Sequence, residues 1–172
     1  MKLYLVQHGD ALPKDVDPER GLSDKGKKDV THMADLLARG HVQVNRIFHS
    51  GKKRAEQTAL LLQNCLAPGG EFAQVDGMAP LDPVNTLVTE IDAWQENTML
   101  VGHLPFMAKI VSHLVTGNEN STLVNFQPGS VVCLERNESG DWIIVWMVRP
   151  ELVRSQNFSL PFNKTNSPHK FI

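Results

Sequence analysis

Residues 98–105 read Thr98-Met99-Leu100-Val101-Gly102-His103-Leu104-Pro105, and the first five decide the fold. Their apolar residues run consecutively instead of alternating, and the run is short, which predicts a strand buried on both faces. Strands of that kind belong to parallel sheets covered by helices. Residues 3–9 (LYLVQHG) have the same form, a β-rich run closed by His8-Gly9. Residues 42–48 (VQVNRIF) alternate apolar and polar up to Ile47-Phe48 and predict another strand, ending at His49-Ser50.

Helical spacing fills the gaps between these runs. Over 25–39, Val30, Met33, Ala34 and Leu37 recur on one face, with Ser23 as N-cap and Gly40 as the stop. Over 52–66, Ala55, Ala59, Leu62 and Leu66 form a stripe that Pro68-Gly69-Gly70 ends. Residues 71–75 form a weak strand candidate. Pro83 opens a helix to about residue 94, with Leu87, Val88 and Ile91 on one face. A further helix over 106–115 ends at Gly117, and strands at 130–136 and 142–148 flank the turn residues 137–141. The expected architecture is an α/β three-layer fold. It has a mostly parallel central sheet, helices on both faces, and a C-terminal antiparallel hairpin at one edge. Residues 1–150 read as one domain, and 151–172 as a polar, non-periodic tail carrying Phe158, Phe162 and Phe171.

Composition narrows the function. The chain has 172 residues, 17 Lys+Arg against 19 Asp+Glu, and a formal net charge of −2, which disfavours a nucleic acid partner held by the overall field. No run approaches the roughly 20 apolar residues of a membrane span, so no membrane association is expected. MKLYLVQHGD is apolar for too short a stretch to read as a secretory signal. Two cysteines, Cys65 and Cys133, make neither a disulfide framework nor a four-thiolate zinc site. Both read as structural, one on a helical stripe and one in a strand. A cytoplasmic protein is the expectation.

The chemistry gathers at strand ends. His8-Gly9, His49-Ser50 and Gly102-His103 each leave the carboxyl end of a predicted strand, and in an open parallel sheet those ends share one rim where ligands bind. Lys52, Lys53 and Arg54 stand in the first turn of their helix, where a cation costs about 0.3–1 kcal/mol unless an anion is bound there. Arg54 is the one expected to face that anion, and the two lysines are expected to point into solvent. Between His49 and Ser50, either can be the one that faces inward. His32, His41, His113 and His169 read as surface or packing residues. A zinc site would need His8, Asp10, His49 and His103 assembled from distant segments, and no HExxH, GxGxxG, P-loop or GxSxG motif is present.

His8-Gly9 after the first strand, Arg20-Gly21-Leu22-Ser23-x-x-Gly26, Ser50-x-x-x-Arg54-Ala55-x-x-Thr58 and Val101-Gly102-His103-Leu104-Pro105 occur in that order. Together they resemble the histidine phosphatase superfamily, and within it the small SixA-type phosphohistidine phosphatases, over about residues 2–148. The resemblance implies a phosphatase that uses no metal and no cofactor. His8 would carry the phosphoryl group. Gln7, Gly9, Arg20, Arg54 and His103 would bind phosphate or a stand-in such as sulfate, with Arg54 and His103 also serving catalysis. A phosphohistidine-containing protein would be the partner. The alternatives are a non-catalytic phosphate- or phosphoprotein-binding module and a hydrolase of a small phosphate ester.

Two positions depart from the family pattern. Gln7 stands where the family has arginine, so the residue before the nucleophile brings no charge and no bidentate fork. A charge-assisted hydrogen bond contributes about 1.5–3 kcal/mol against about 0.5–1.5 for a neutral one. The difference of about 1 kcal/mol or more corresponds to a rate lowered up to some tenfold. Gly51 stands where the family usually has proline, which loosens the turn and removes no chemical group. Asp10, Asp76 and Asp82 are the candidates for a general acid, with no motif choosing among them.

Overall fold

Leu3, Tyr4, Leu5 and Val6 are four consecutive apolar side chains, none more than 2% exposed. A strand with neighbours on both edges and cover on both faces buries such a run. In the computed structural model, which describes residues 1–154, that strand is β1 (Lys2–Gln7). It lies in a six-stranded sheet with β2 (Arg46–His49), β3 (Glu71–Gln74), β4 (Thr98–Gly102), β5 (Val131–Arg136) and β6 (Trp142–Val148). The strand order is β3-β2-β4-β1-β5-β6. The pairs β1/β4, β2/β4 and β2/β3 are parallel. The pairs β1/β5 and β5/β6 are antiparallel, which puts the hairpin at one edge as expected.

Alternation along β1 and β4 divides the core. Tyr4, Val6, Met99 and Val101 pack with Val30, Met33, Ala34 and Leu37 of α1 (Asp24–Arg39) and with Ala55, Ala59 and Leu62 of α2 (Lys53–Leu66). On the opposite face, Leu3, Leu5 and Leu100 pack with Val84, Leu87 and Ile91 of α3 (Val84–Ala93). Phe106, Met107, Ile110 and Val111 of α4 (Phe106–Thr116) complete that cluster. These are the three layers.

The connections follow from the strand order. The chain leaves β1 through α1 and β2 through α2 on one face, then returns through α3 and leaves β4 through α4 on the other. Neighbouring strands whose chains depart to opposite faces leave a crevice at their carboxyl ends. That crevice opens between β1 and β4, beside His8 and His103.

Local boundaries refine the expectations. Ser23 caps α1, its Oγ accepting from the Gly26 N–H, and Gly40 is the C-cap. Gly117 ends α4 in the left-handed region at φ 74°. The second strand is shorter than 42–48: only Arg46–His49 pairs, although Val44 is still buried. Cys65 is exposed on α2 instead of buried in its stripe, whereas Cys133 is buried. A short helix α5 (Pro150–Arg154) follows β6 directly and places Val153 in the core beside α1. It occupies the start of the stretch expected to be a polar tail. Residues 155–172, the rest of that stretch, lie outside the described residues.

Candidate active site

The histidine at the end of β1 is held by its neighbours' backbone. The His8 N–H donates to the Gly102 carbonyl across 3.0 Å, which locks the end of β1 to the end of β4. Its Nδ1 lies 2.7 Å from the Gly9 carbonyl oxygen. A carbonyl can only accept, so Nδ1 carries the ring proton and Nε2 keeps its lone pair. That nitrogen accepts a hydrogen bond from Arg54 Nε across 3.1 Å. Burial first, then the guanidinium charges of Arg54 and Arg20, push the His8 pKa down to about 4, against the opposing pull of the Gly9 carbonyl and Asp10. Its imidazole is neutral at physiological pH.

His103 completes the pair. Its ring centroid is 4.9 Å from that of His8, and its Nε2 lies 2.5 Å from Ser50 Oγ. Burial, followed by His8, Arg54 and Lys52, pushes its pKa down to about 3. His8, Arg54 and His103, drawn from three segments about fifty residues apart, therefore meet at one rim. Among the expected site residues, these three are brought together most closely.

The surrounding residues divide by role. Gln7 is buried on the α3/α4 side of the sheet, and its Oε1 has no hydrogen-bond partner. Gly9 donates its N–H to Thr58 Oγ1 across 3.0 Å, and Thr58 donates in turn to the Arg54 carbonyl across 2.7 Å. The Gly9 amide is thus spent on the scaffold. A Cβ there would press on side-chain carbons of Val30 at 2.8 Å and Leu22 at 3.0 Å. Arg20 is exposed at φ 54°, with Nε donating to the Leu12 carbonyl. It lines a surface cavity with Lys52 and Arg54. Lys52 is exposed, whereas Lys53 is tied down by Asp17 and Glu19 at 3.3 and 2.9 Å.

Of the two residues left open after β2, His49 faces the interior. It is buried, stacks 5.0 Å from Phe72, and its Nδ1 accepts from the Gly51 N–H. Ser50 is the residue that reaches the rim. Each general-acid candidate accepts one hydrogen bond, and Asp10 is the one near enough to His8 to raise its pKa. Asp10 accepts from the Ser23 hydroxyl, Asp82 from the Ala79 N–H, and Asp76 from Gln74 Nε2. Sequence reasoning gave no role to Thr58, four residues after Arg54 on the same helix face, where it can reach the β1 turn. It also missed Gly129, whose N–H donates to the carbonyls of Gln7 and His8. The Pro128-Gly129 pair was the available turn signal. Among the described residues, no group of three or more His, Cys, Asp or Glu side chains is placed to hold a metal ion. No described helix is long and apolar enough to cross a membrane.

No protein-family model matches the chain. The phosphohistidine phosphatase SixA of Escherichia coli (strain K12) is 25% identical over 155 residues, covering 87% of this chain and 94% of that protein. A solved structure of the protein histidine phosphatase SixA complexed with tungstate superposes with a TM-score of 0.79 at 24% identity. It covers 89% of this chain and 99% of its own. The putative phosphohistidine phosphatase SixA from Agrobacterium tumefaciens matches with a TM-score of 0.68 at 23% identity, covering 86% of this chain and 97% of that one. The ordered motifs, the sheet topology and these similarities agree in likening the chain to the SixA-type histidine phosphatases, whose fold it shares.

Proposed function

We propose that this chain is a phosphatase that works through a covalent phosphohistidine on His8 and removes phosphate from histidine side chains of proteins. The observation that carries the reading is the hydrogen-bonding state of His8. Its Nδ1 proton is spent on the Gly9 carbonyl and its Nε2 lone pair faces the Arg54 guanidinium. A neutral imidazole oriented by one fixed acceptor becomes the nucleophile once Arg54 exchanges its bond to Nε2 for one to a phosphoryl oxygen, and that cation then stabilises the charge of the transferring group.

In the first step the Nε2 lone pair forms a bond to phosphorus as the bond from phosphorus to the substrate nitrogen breaks. The departing imidazole keeps the electron pair and is neutral if it arrived protonated on its other nitrogen. That chemistry needs no carboxylic acid from the protein. In the second step a water oxygen forms the new bond to phosphorus and the P–Nε2 bond breaks. Phosphate leaves with the protons of water, and His8 regains its lone pair. Arg54 holds the phosphoryl oxygens throughout, with the His103 ring beside the nucleophile, and Arg20 adds positive field from the rim. The tungstate in the SixA complex, a tetrahedral oxyanion, supports an anion site of this kind.

Gln7 favours a second reading, a phosphate-binding module with negligible turnover, because the position brings no charge to the anion. The test is phosphate release and acid-quenched phosphoenzyme formation from a phosphohistidine protein, in wild type and His8→Ala. Turnover with a trapped phosphoenzyme in wild type, both lost in His8→Ala, supports the enzyme. Tight phosphate binding with no phosphoenzyme supports the module. Turnover that survives in His8→Ala ends the mechanism.

A further inference from the structure

We propose that Ser50 is a phosphoryl-binding residue, its hydroxyl accepting from His103 Nε2–H and donating its own proton to a phosphoryl oxygen. This rests on the phosphate-site reading above and adds a ligand to it.

The argument starts from His103, which is 2% exposed and has an Nδ1 without any hydrogen-bond partner. Burial and the neighbouring His8, Arg54 and Lys52 keep the ring neutral, so it carries one N–H. A buried N–H without an acceptor is among the rarest features of folded proteins, while an under-used acceptor is less costly. The proton therefore belongs on Nε2, and the orphan at Nδ1 is a lone pair. Nε2 has Ser50 Oγ at 2.5 Å, so the N–H donates to that oxygen. A serine hydroxyl that accepts one bond still has its own proton to give. No acceptor for that proton appears among the hydrogen bonds of the described residues.

Backbone geometry holds the hydroxyl in place. The Ser50 N–H donates to the Val101 carbonyl across 3.2 Å, which extends the β2/β4 pairing one residue past the strand. Gly51 at φ 79° then turns the chain into α2, and a Cβ there would strike Gln74 at 2.5 Å. Ser50 is thus carried on sheet backbone beside a histidine that is itself next to His8. A donor at that place compensates in part for the missing arginine at position 7.

The test uses inorganic phosphate as the probe and does not require turnover. Histidine ¹⁵N NMR of the wild-type protein should show His103 as the Nε2–H tautomer. Phosphate affinity measured by titration should fall roughly tenfold in Ser50→Ala, in line with the loss of a hydrogen bond to a charged group. Ser50→Thr should keep it. Ser50→Ala should also lower the urea midpoint, because the buried His103 N–H loses its acceptor, so the affinities are compared where both proteins are fully folded. An Nδ1–H tautomer, or a Ser50→Ala variant that binds phosphate as tightly as wild type, overturns the proposal. Wild type that binds phosphate without hydrolysing a phosphohistidine protein overturns the enzymatic reading alone. Wild type that binds no phosphate overturns both.

Discussion

Arg54 Nε and His8 Nε2 meet across 3.1 Å although 46 positions separate them in the chain. This contact joins the first turn of α2 to the end of β1. Thr58, one turn further along α2, bonds the Gly9 amide and so fixes the same two segments a second time. The nucleophile candidate and its cation are held by one helix docking against one turn. Disturbing that docking should show in both stability and chemistry.

Thr58→Val tests the docking directly. The hydroxyl is buried, and replacing it with a methyl leaves the Gly9 N–H without an acceptor at nearly constant volume. A buried donor stripped of its partner costs about 1–3 kcal/mol. Urea unfolding should show a loss of that size, and Thr58→Ser should restore most of it. An unchanged midpoint in Thr58→Val would mean that the Gly9 amide finds another acceptor.

Two glycines near the site should tolerate a methyl group unequally. A Cβ on Gly9 meets side-chain carbons of Val30 and Leu22 at 2.8 and 3.0 Å, which can shift. A Cβ on Gly26 meets the Asp10 carbonyl oxygen at 2.1 Å, and backbone has nowhere to go. Gly9→Ala should cost about 1–3 kcal/mol, the ordinary range for overpacking. Gly26→Ala should cost more and should separate the start of α1 from the Asp10 turn. Val30→Ala should recover part of the Gly9→Ala loss in a double-mutant cycle and none of the Gly26→Ala loss.

Much of this was legible in the chain because consecutive apolar runs betray buried strands without help from tertiary context. LYLV and MLV announced β1 and β4, and with them the rim where His8 and His103 stand. Val42 to Asn45 misled for the converse reason. Alternation marks a half-buried extended segment, and a loop that buries Val44 has the same signature as a strand. The choice between His49 and Ser50 was not legible because both leave β2 at the same rim. Only the packing of His49 against Phe72 settles which one turns inward. Thr58 and Gly129 act through single backbone bonds, which leave no periodic trace.

The depressed His8 and His103 pKa values should make stability depend on pH in the acid range. Each group has a folded-state pKa below its usual 6.5, about 4 and about 3 respectively. As pH falls below about 6.5 the unfolded chain takes up protons that the folded site refuses. Stability from these groups is complete above that pH and declines as pH falls toward 4. Urea midpoints measured from pH 7 to pH 4.5 should drop, and the drop should be shallower in His8→Asn. A pH profile identical in the two proteins would place the His8 pKa at its ordinary value. The same shift bears on chemistry: the Nε2 lone pair is available down to about pH 4, so the acid limb of phosphoenzyme formation should lie near there.

Gln7→Arg asks whether the missing cation matters. Gln7 pairs in register with Gly102, and its side chain lies on the α3/α4 side of the sheet, where its Oε1 has no partner. Arginine there removes an orphaned acceptor and adds five donors with a permanent charge. The guanidinium is also long enough to reach past the strand end toward the anion. A gain of about 1 kcal/mol in transition-state stabilisation corresponds to a rise of about five- to tenfold in kcat/KM. Part of that rise should vanish at high salt, because a charge at an open rim is screened. Steady-state hydrolysis of a phosphohistidine protein at low and high ionic strength reads both effects. If Gln7→Arg slows the reaction and lowers the urea midpoint together, the charge is trapped among the apolar side chains of α4. In that event the glutamine is there because this face of the sheet cannot hold a cation.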